Sequence, residues 1–119
     1  MNVLIIDDDD VLRHKIVTDL KNLSVTTYES TNGKAALELL KSNSKIDIIL
    51  CDFNMPEMNG IKVLEELRKM PSYENLPFYM MSTHSDPLIK QAAEKSKYNG
   101  WIIKPIDSNT IKTLIAKNT

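Results

Sequence analysis

Five short apolar runs, separated by stretches with helical spacing, constrain this chain more than any other feature. Val3-Leu4-Ile5-Ile6 stops at Asp7-Asp8, Val25 to Glu29 forms a more polar run, and Ile46 to Cys51 stops at Asp52. Phe78 to Met81 stops at Ser82, and Trp101 to Ile103 stops at Lys104-Pro105. Most of these runs are continuous rather than alternating, as strands buried on both faces must be. Between them, apolar residues recur at three- and four-residue steps. Leu12, Ile16, Leu20 and Leu23 follow an aspartate cap at Asp9 or Asp10, and Asn32-Gly33 opens a helix with Ala35, Ala36, Leu39 and Leu40. A Pro- and Gly-bearing loop from Phe53 to Gly60 leads into a helix with Ile61, Leu64 and Leu67. Asp86-Pro87 starts a weakly patterned helix through Leu88, Ile89, Ala92 and Ala93, and Ser108 is the expected cap of a last one through Ile111, Leu114 and Ile115. Strands alternating with helices specify an α/β fold, a parallel sheet covered on both faces.

The 119 residues fit one domain, expected to span 1–119, and a composition 42% hydrophobic and 26% charged is globular. A formal net charge of -1 leaves no surplus of cations for a phosphate backbone, so nucleic-acid binding by this domain alone is not expected. Met1-Asn2 runs straight into the first apolar stretch, so neither a signal peptide nor a membrane span is expected. The lone Cys51 allows no internal disulfide, which suits a reducing, cytoplasmic setting, and its place in an apolar run makes it a small core hydrophobe.

In an open parallel α/β sheet, functional groups gather beyond the carboxyl ends of the strands. Here four of those ends carry Asp7-Asp8, Asp52, Ser82 and Lys104. Crowded carboxylates repel one another unless a cation intervenes, and a hard oxygen cluster with few ligands suits Mg²⁺ better than zinc. Aspartate is also a competent nucleophile towards phosphorus. A metal and a lysine neutralising charge supply most of what phosphoryl transfer needs, and a hydroxyl can hydrogen-bond a phosphoryl oxygen. The pattern therefore reads as a phosphate-acceptor site. Any one of these residues alone would be an ordinary cap or surface group; the combination carries the reading.

These residues, with the string Cys-Asp-Phe-Asn-Met-Pro-Glu-Met-Asn-Gly from Cys51 to Gly60, resemble the receiver domain of two-component response regulators of the single-domain kind. The spacings from Asp52 to Ser82 and from Ser82 to Lys104 match that family, and the resemblance covers essentially the whole chain. It implies a flavodoxin-like, doubly wound (βα)5 fold with a five-stranded parallel sheet in the order 2-1-3-4-5. It implies that Asp52 accepts a phosphoryl group from the phosphohistidine of a sensor histidine kinase or phosphotransfer protein. Mg²⁺ would be held by Asp8, by Asp7 largely through water, by Asp52, and by the backbone carbonyl of Asn54. Lys104 would pair with the acyl phosphate, with a cis bond to Pro105. Ser82 replaces the commoner Thr as switch hydroxyl, and Trp101 stands where Tyr or Phe is usual. Together they would bias the surface made by the fourth helix, fifth strand and fifth helix towards a downstream protein target, the domain being a monomer or a phosphorylation-dependent dimer.

Positions around the entrance to the site depart from or vary within the family as well. Thr83 stands where Ala or Gly is usual and would narrow the path for phosphodonors. His84 and Asn54, at variable positions near the entrance, are expected to set the lifetime of the acyl phosphate; the alternative for His84 is an exposed loop residue. Trp101 read plainly is a strand-edge aromatic, and His14 is a solvated helix residue. Rival functions are less well supported. A dehalogenase-type phosphatase places its nucleophile after the first strand and needs a cap insertion, and a flavodoxin-like redox protein would not set four aspartates where a cofactor phosphate must bind. A degenerate receiver acting only as a scaffold would lack an acid or the lysine. No enzymatic turnover of an external substrate is expected beyond the domain's own phosphotransfer and dephosphorylation.

Overall fold

The computed structural model describes residues 1–42 and 45–119. Among them run β1 (Asn2–Ile6), α1 (Asp10–Lys21), β2 (Thr26–Ser30), α2 (Gly33–Ser42), β3 (Ile48–Asp52) and α3 (Gly60–Arg68). A 3₁₀ turn at Pro71–Tyr73 follows, then β4 (Phe78–Ser82), α4 (Pro87–Glu94), β5 (Gly100–Ile103) and α5 (Ser108–Lys117). The strands form one parallel sheet in the order β2-β1-β3-β4-β5, as the resemblance implied.

Strand periodicity divides the core in two. Leu4, Ile6, Ile49, Cys51, Phe78 and Met80 point to one side, against Ala36, Leu37 and Leu40 of α2 and Val63, Leu64 and Leu67 of α3. Val3, Ile5, Ile48, Leu50, Tyr79 and Met81 point to the other, against Ile16, Val17 and Leu20 of α1 and Ile111, Leu114 and Ile115 of α5. Alternate residues of one strand thus serve opposite layers, which is why the central strands β3 and β4 are apolar or aromatic up to their terminal Asp52 and Ser82. β2 lies at one edge and is correspondingly more polar and exposed.

Some boundaries differ from the sequence expectation. β3 begins at Ile48 rather than Ile46, because pairing with β1 starts at Val3 opposite Ile48. The preceding Asp47 spends its amide on the Asn2 carbonyl instead, at 2.8 Å. β2 starts one residue late, since the Val25 amide bonds back to the Leu20 carbonyl and closes the turn after α1. Asp9, not Asp10, caps α1, accepting from the amides of Val11 and Leu12. The cap of α5 is Asp107 and not Ser108: its carboxylate accepts from the Thr110 amide at 2.7 Å, while the Ser108 hydroxyl donates to Asp19. A charged acceptor at a helix N-terminus also gains from the helix dipole, which a serine does not. Leu88, in the apolar pattern of α4, is 75% exposed.

Candidate functional site

All five strands run the same way, so their carboxyl ends share one edge of the sheet. The chain leaves β1 for β2 on one side, and β3 lies on the other, which opens a crevice between the ends of β1 and β3. Ile6 pairs with Cys51, so the residues that follow them, Asp7 and Asp52, stand side by side at that crevice. Asp8 comes next in the same turn. Each of the three offers a carboxylate oxygen, and these oxygens lie within 4.8 Å of one another. Asp7 and Asp52 are buried and Asp8 is exposed, so the cluster is open on one flank.

Gly60 lets α3 begin directly behind Asp52. A Cβ there would stand 2.8 Å from the Asp52 carbonyl oxygen and collide with the Met80 sulfur. No side chain fits between the helix and the end of β3, and the Gly60 amide donates to the Phe53 carbonyl at 2.9 Å. Met55 of the intervening loop is buried against this layer, and the Cys51 thiol is wholly buried, its pKa pushed well up by burial. Such a thiol stays protonated and inert.

Lys104, just beyond β5, reaches across the edge. Its Nζ stands 2.9 Å from Asp52 Oδ1 and 3.2 Å from Asp7 Oδ2. Burial alone would lower its pKa, but hydrogen bonds and charge from Asp52 and Asp7 outweigh it and hold the ammonium above the ordinary lysine value. Burial also dominates at Asp52: it raises the carboxyl pKa against the pull of Lys104, and the negative charge of Asp7 and Asp8 adds to the rise. One ammonium therefore does not neutralise the cluster. Three carboxylates with a single bridging cation, all hard oxygen donors and one flank open to water, make a donor set that could hold a divalent cation such as Mg²⁺.

The remaining sequence-predicted residues gather on the adjoining flank. The Ser82 hydroxyl, at the end of β4, accepts from the His84 amide at 3.2 Å. The side chains of Thr83 and His84 bond to each other through Oγ1 and Nδ1 at 2.8 Å, and both are exposed. With Phe53, Asn54 and Asp86 they line a cavity of about 670 Å³ beside the acidic cluster. Trp101 is half-buried rather than a bare edge aromatic: its indole N–H donates to the His84 carbonyl at 3.1 Å. Its ring lies 6.1 Å from Phe53 and 5.9 Å, edge-on, from Tyr98, with the Lys90 ammonium of α4 above it. The Lys104-Pro105 bond is cis.

The sequence matches the response regulator receiver domain over residues 3–116. The chain belongs to the response regulator receiver domain family. A similar protein is the chemotaxis protein CheY homolog of Campylobacter jejuni, 31% identical over 113 residues that cover 94% of this chain and 87% of that one. The sensor histidine kinase CheAY of Helicobacter pylori is 34% identical over 117 residues, 98% of this receiver and 15% of that protein. Among solved structures, the chemotaxis protein CheY4 of Vibrio cholerae superposes with a TM-score of 0.93 at 25% identity, over 99% of this chain and 98% of that one. The receiver is thus a CheY-like signalling domain of two-component systems. No helix among the described residues is long and apolar enough to cross a membrane.

Sequence reasoning missed Arg13 and Glu29 at this receiver's site. Arg13 donates to the Asp7 carbonyl, to Asp10 and to Glu29. Its helical spacing from Asp10, three residues earlier, was a visible signal. The bond to Glu29 was not, because it depends on the register of β2 beside β1.

Proposed function

We propose that residues 1–119 act as one phosphorelay receiver, in which Asp52 takes a phosphoryl group from the phosphohistidine of a sensor histidine kinase or phosphotransfer protein. The observation that carries this reading is the buried Asp52 carboxylate held between a lysine ammonium and two further acids at the strand edge. A carboxylate oxygen of Asp52 attacks phosphorus, the P–N bond to the donor imidazole breaks, and the imidazole leaves with its electron pair and takes up a proton. The product is an aspartyl phosphate. Asp7, Asp8 and Asp52, with the Asn54 carbonyl, would hold Mg²⁺, whose chemistry there would be charge neutralisation for the transferring group. Lys104, already 2.9 Å from Asp52, shares that task and stays with the acyl phosphate. The Ser82 hydroxyl turns towards a phosphoryl oxygen and gives up the His84 amide. That changes the loop whose carbonyl receives the Trp101 indole, and so biases the α4-β5-α5 surface offered to a downstream protein.

Hydrolysis reverses the loading: water attacks phosphorus, the P–O bond to Asp52 breaks, and inorganic phosphate leaves. Asn54 and His84 line the cavity through which that water comes and set the lifetime of the phosphorylated state. The domain works in the cytoplasm on protein partners, as a monomer or a phosphorylation-dependent dimer, without nucleic acid or membrane of its own. It is a signalling domain that turns over no external substrate. Incubation with acetyl phosphate and Mg²⁺ followed by intact mass measurement tests the reading. One added phosphoryl group is expected, absent in Asp52→Asn and absent without Mg²⁺; in His84→Ala or Asn54→Ala the modified species decays at an altered rate. Phosphorylation that survives Asp52→Asn would overturn the assignment of the acceptor.

A further inference from the structure

Arg13 sits one turn into α1, with 13% of its side chain exposed, and all three guanidinium nitrogens are engaged. Nε donates to Glu29 Oε1 of β2 at 2.9 Å, and Nη2 to Asp10 Oδ1 at 2.5 Å. The third, Nη1, donates at 2.7 Å to the carbonyl oxygen of Asp7. That carbonyl belongs to the planar peptide joining Asp7 to Asp8, so the direction it faces also sets where the Asp8 N and Cα lie, the root from which its carboxylate projects. The other contacts in the turn restrain Asp7. Its amide donates to the Ser30 carbonyl, Oδ1 accepts from the Asp9 amide, and Oδ2 faces Lys104. Among the described residues no hydrogen bond restrains the Asp8 carboxylate itself; its backbone is held on one side by the Arg13 bond to the Asp7 carbonyl and on the other by the Asp9 amide on Asp7 Oδ1.

We propose that Arg13 is a positioning residue for the cation site: anchored on Asp10 and Glu29, its guanidinium holds the Asp7–Asp8 peptide so that the Asp8 carboxylate faces Asp7 and Asp52. The inference rests on the reading of that cluster as a Mg²⁺ site, and it assigns Glu29, from a neighbouring strand, as the outer anchor. A lysine cannot replace the arginine, because a single ammonium cannot reach three acceptors in the geometry of the planar fork.

The sign of the effect separates positioning from plain charge. Arg13 places a cation beside a site meant for a cation. If it acted by charge alone, Arg13→Gln would tighten Mg²⁺ binding and Arg13→Lys would leave it unchanged. If it positions Asp8, both variants weaken binding, by about tenfold as for other residues that orient metal ligands. Isothermal titration of the whole chain with Mg²⁺ alone, with far-ultraviolet circular dichroism as the folding check, distinguishes the two. Should Arg13→Gln fail to fold, Arg13→Lys still decides, since it keeps the charge and loses the fork. Glu29→Gln, which takes the charge from the outer anchor of Arg13 but keeps an acceptor oxygen, is expected to weaken binding by a smaller factor. Wild-type protein that binds no Mg²⁺ would overturn the cation site itself. Wild type that binds, with unchanged or tighter binding in the Arg13 variants, would overturn the positioning role alone.

Discussion

Helices α1 and α4 both begin just beyond the carboxyl ends of strands, on opposite faces of the sheet, yet they are held in different ways. α1 buries Ile16, Val17 and Leu20, and Asp9 caps its first turn. Its polar side chains reach outward to other elements: Arg13 to β2, Lys15 to the Ile106 carbonyl, and Asp19 to the Ser108 hydroxyl. α4 buries Ala93, leaves Leu88 exposed, and meets Trp101 through the Lys90 ammonium above its ring. Its cap, Asp86, bonds within its own first turn. Few buried apolar contacts and local hydrogen bonds mark a segment of low local stability, whereas a helix tied at several points moves only with the fold. The acids proposed to hold a cation lie beside the first kind of helix. The surface proposed to respond lies on the second.

Core truncation gives the largest expected break in that contrast. Leu20→Ala in α1 should destabilise the domain by about 3 kcal/mol, and Leu88→Ala in α4 by no more than about 0.5 kcal/mol, measured by urea denaturation. Similar losses at the two sites would erase the difference between the helices. Next in size is Lys104→Met, which leaves Asp7 and Asp52 buried without their ammonium and should lower stability by about 2 kcal/mol at neutral pH. Because the folded lysine titrates above its ordinary 10.5, its contribution is complete below that value and disappears as pH rises through the folded pKa. Wild type and variant should therefore converge only in strong alkali; a gap that persists there would point to packing of the lysine stem instead.

The smallest effect has the opposite sign. Asp52→Asn should raise stability at neutral pH slightly, by less than the loss in the lysine variant, since burial and the neighbouring acids already disfavour the Asp52 carboxylate. Its folded pKa lies above the ordinary 3.8, so the folded state binds the proton more readily than the unfolded chain. The advantage of the variant should shrink as pH falls through that raised value and vanish below the ordinary one. Thermal unfolding across acid pH measures this, and added Mg²⁺ should close the same gap by stabilising the wild type. A destabilised Asn variant would mean that the ion pair with Lys104 outweighs the repulsion.

Much of this was legible before any coordinates. The apolar runs named the strands, and their terminal residues named the groups that meet at one edge, because a parallel sheet brings all carboxyl ends together. Less legible were features set between distant segments. Ile46 has the same apolar character as Ile48, and only pairing with β1 excludes it from β3. Ser108 and Asp107 are both good caps in isolation, and Asp19 on another helix decides between them by claiming the serine hydroxyl. Leu88 reads as a core residue by spacing, yet it is exposed while Ala93, further along α4, is buried.

By itself, the sequence determined which side chains could meet and what chemistry they could share, since strand direction and residue type are local properties. The tertiary structure alone decided how far apart their charges stand and how strongly each is desolvated. It also decided that Arg13 and Glu29 join them. Electrostatic strength depends on distance and burial, and both arise only when segments far apart in the chain are packed against one another.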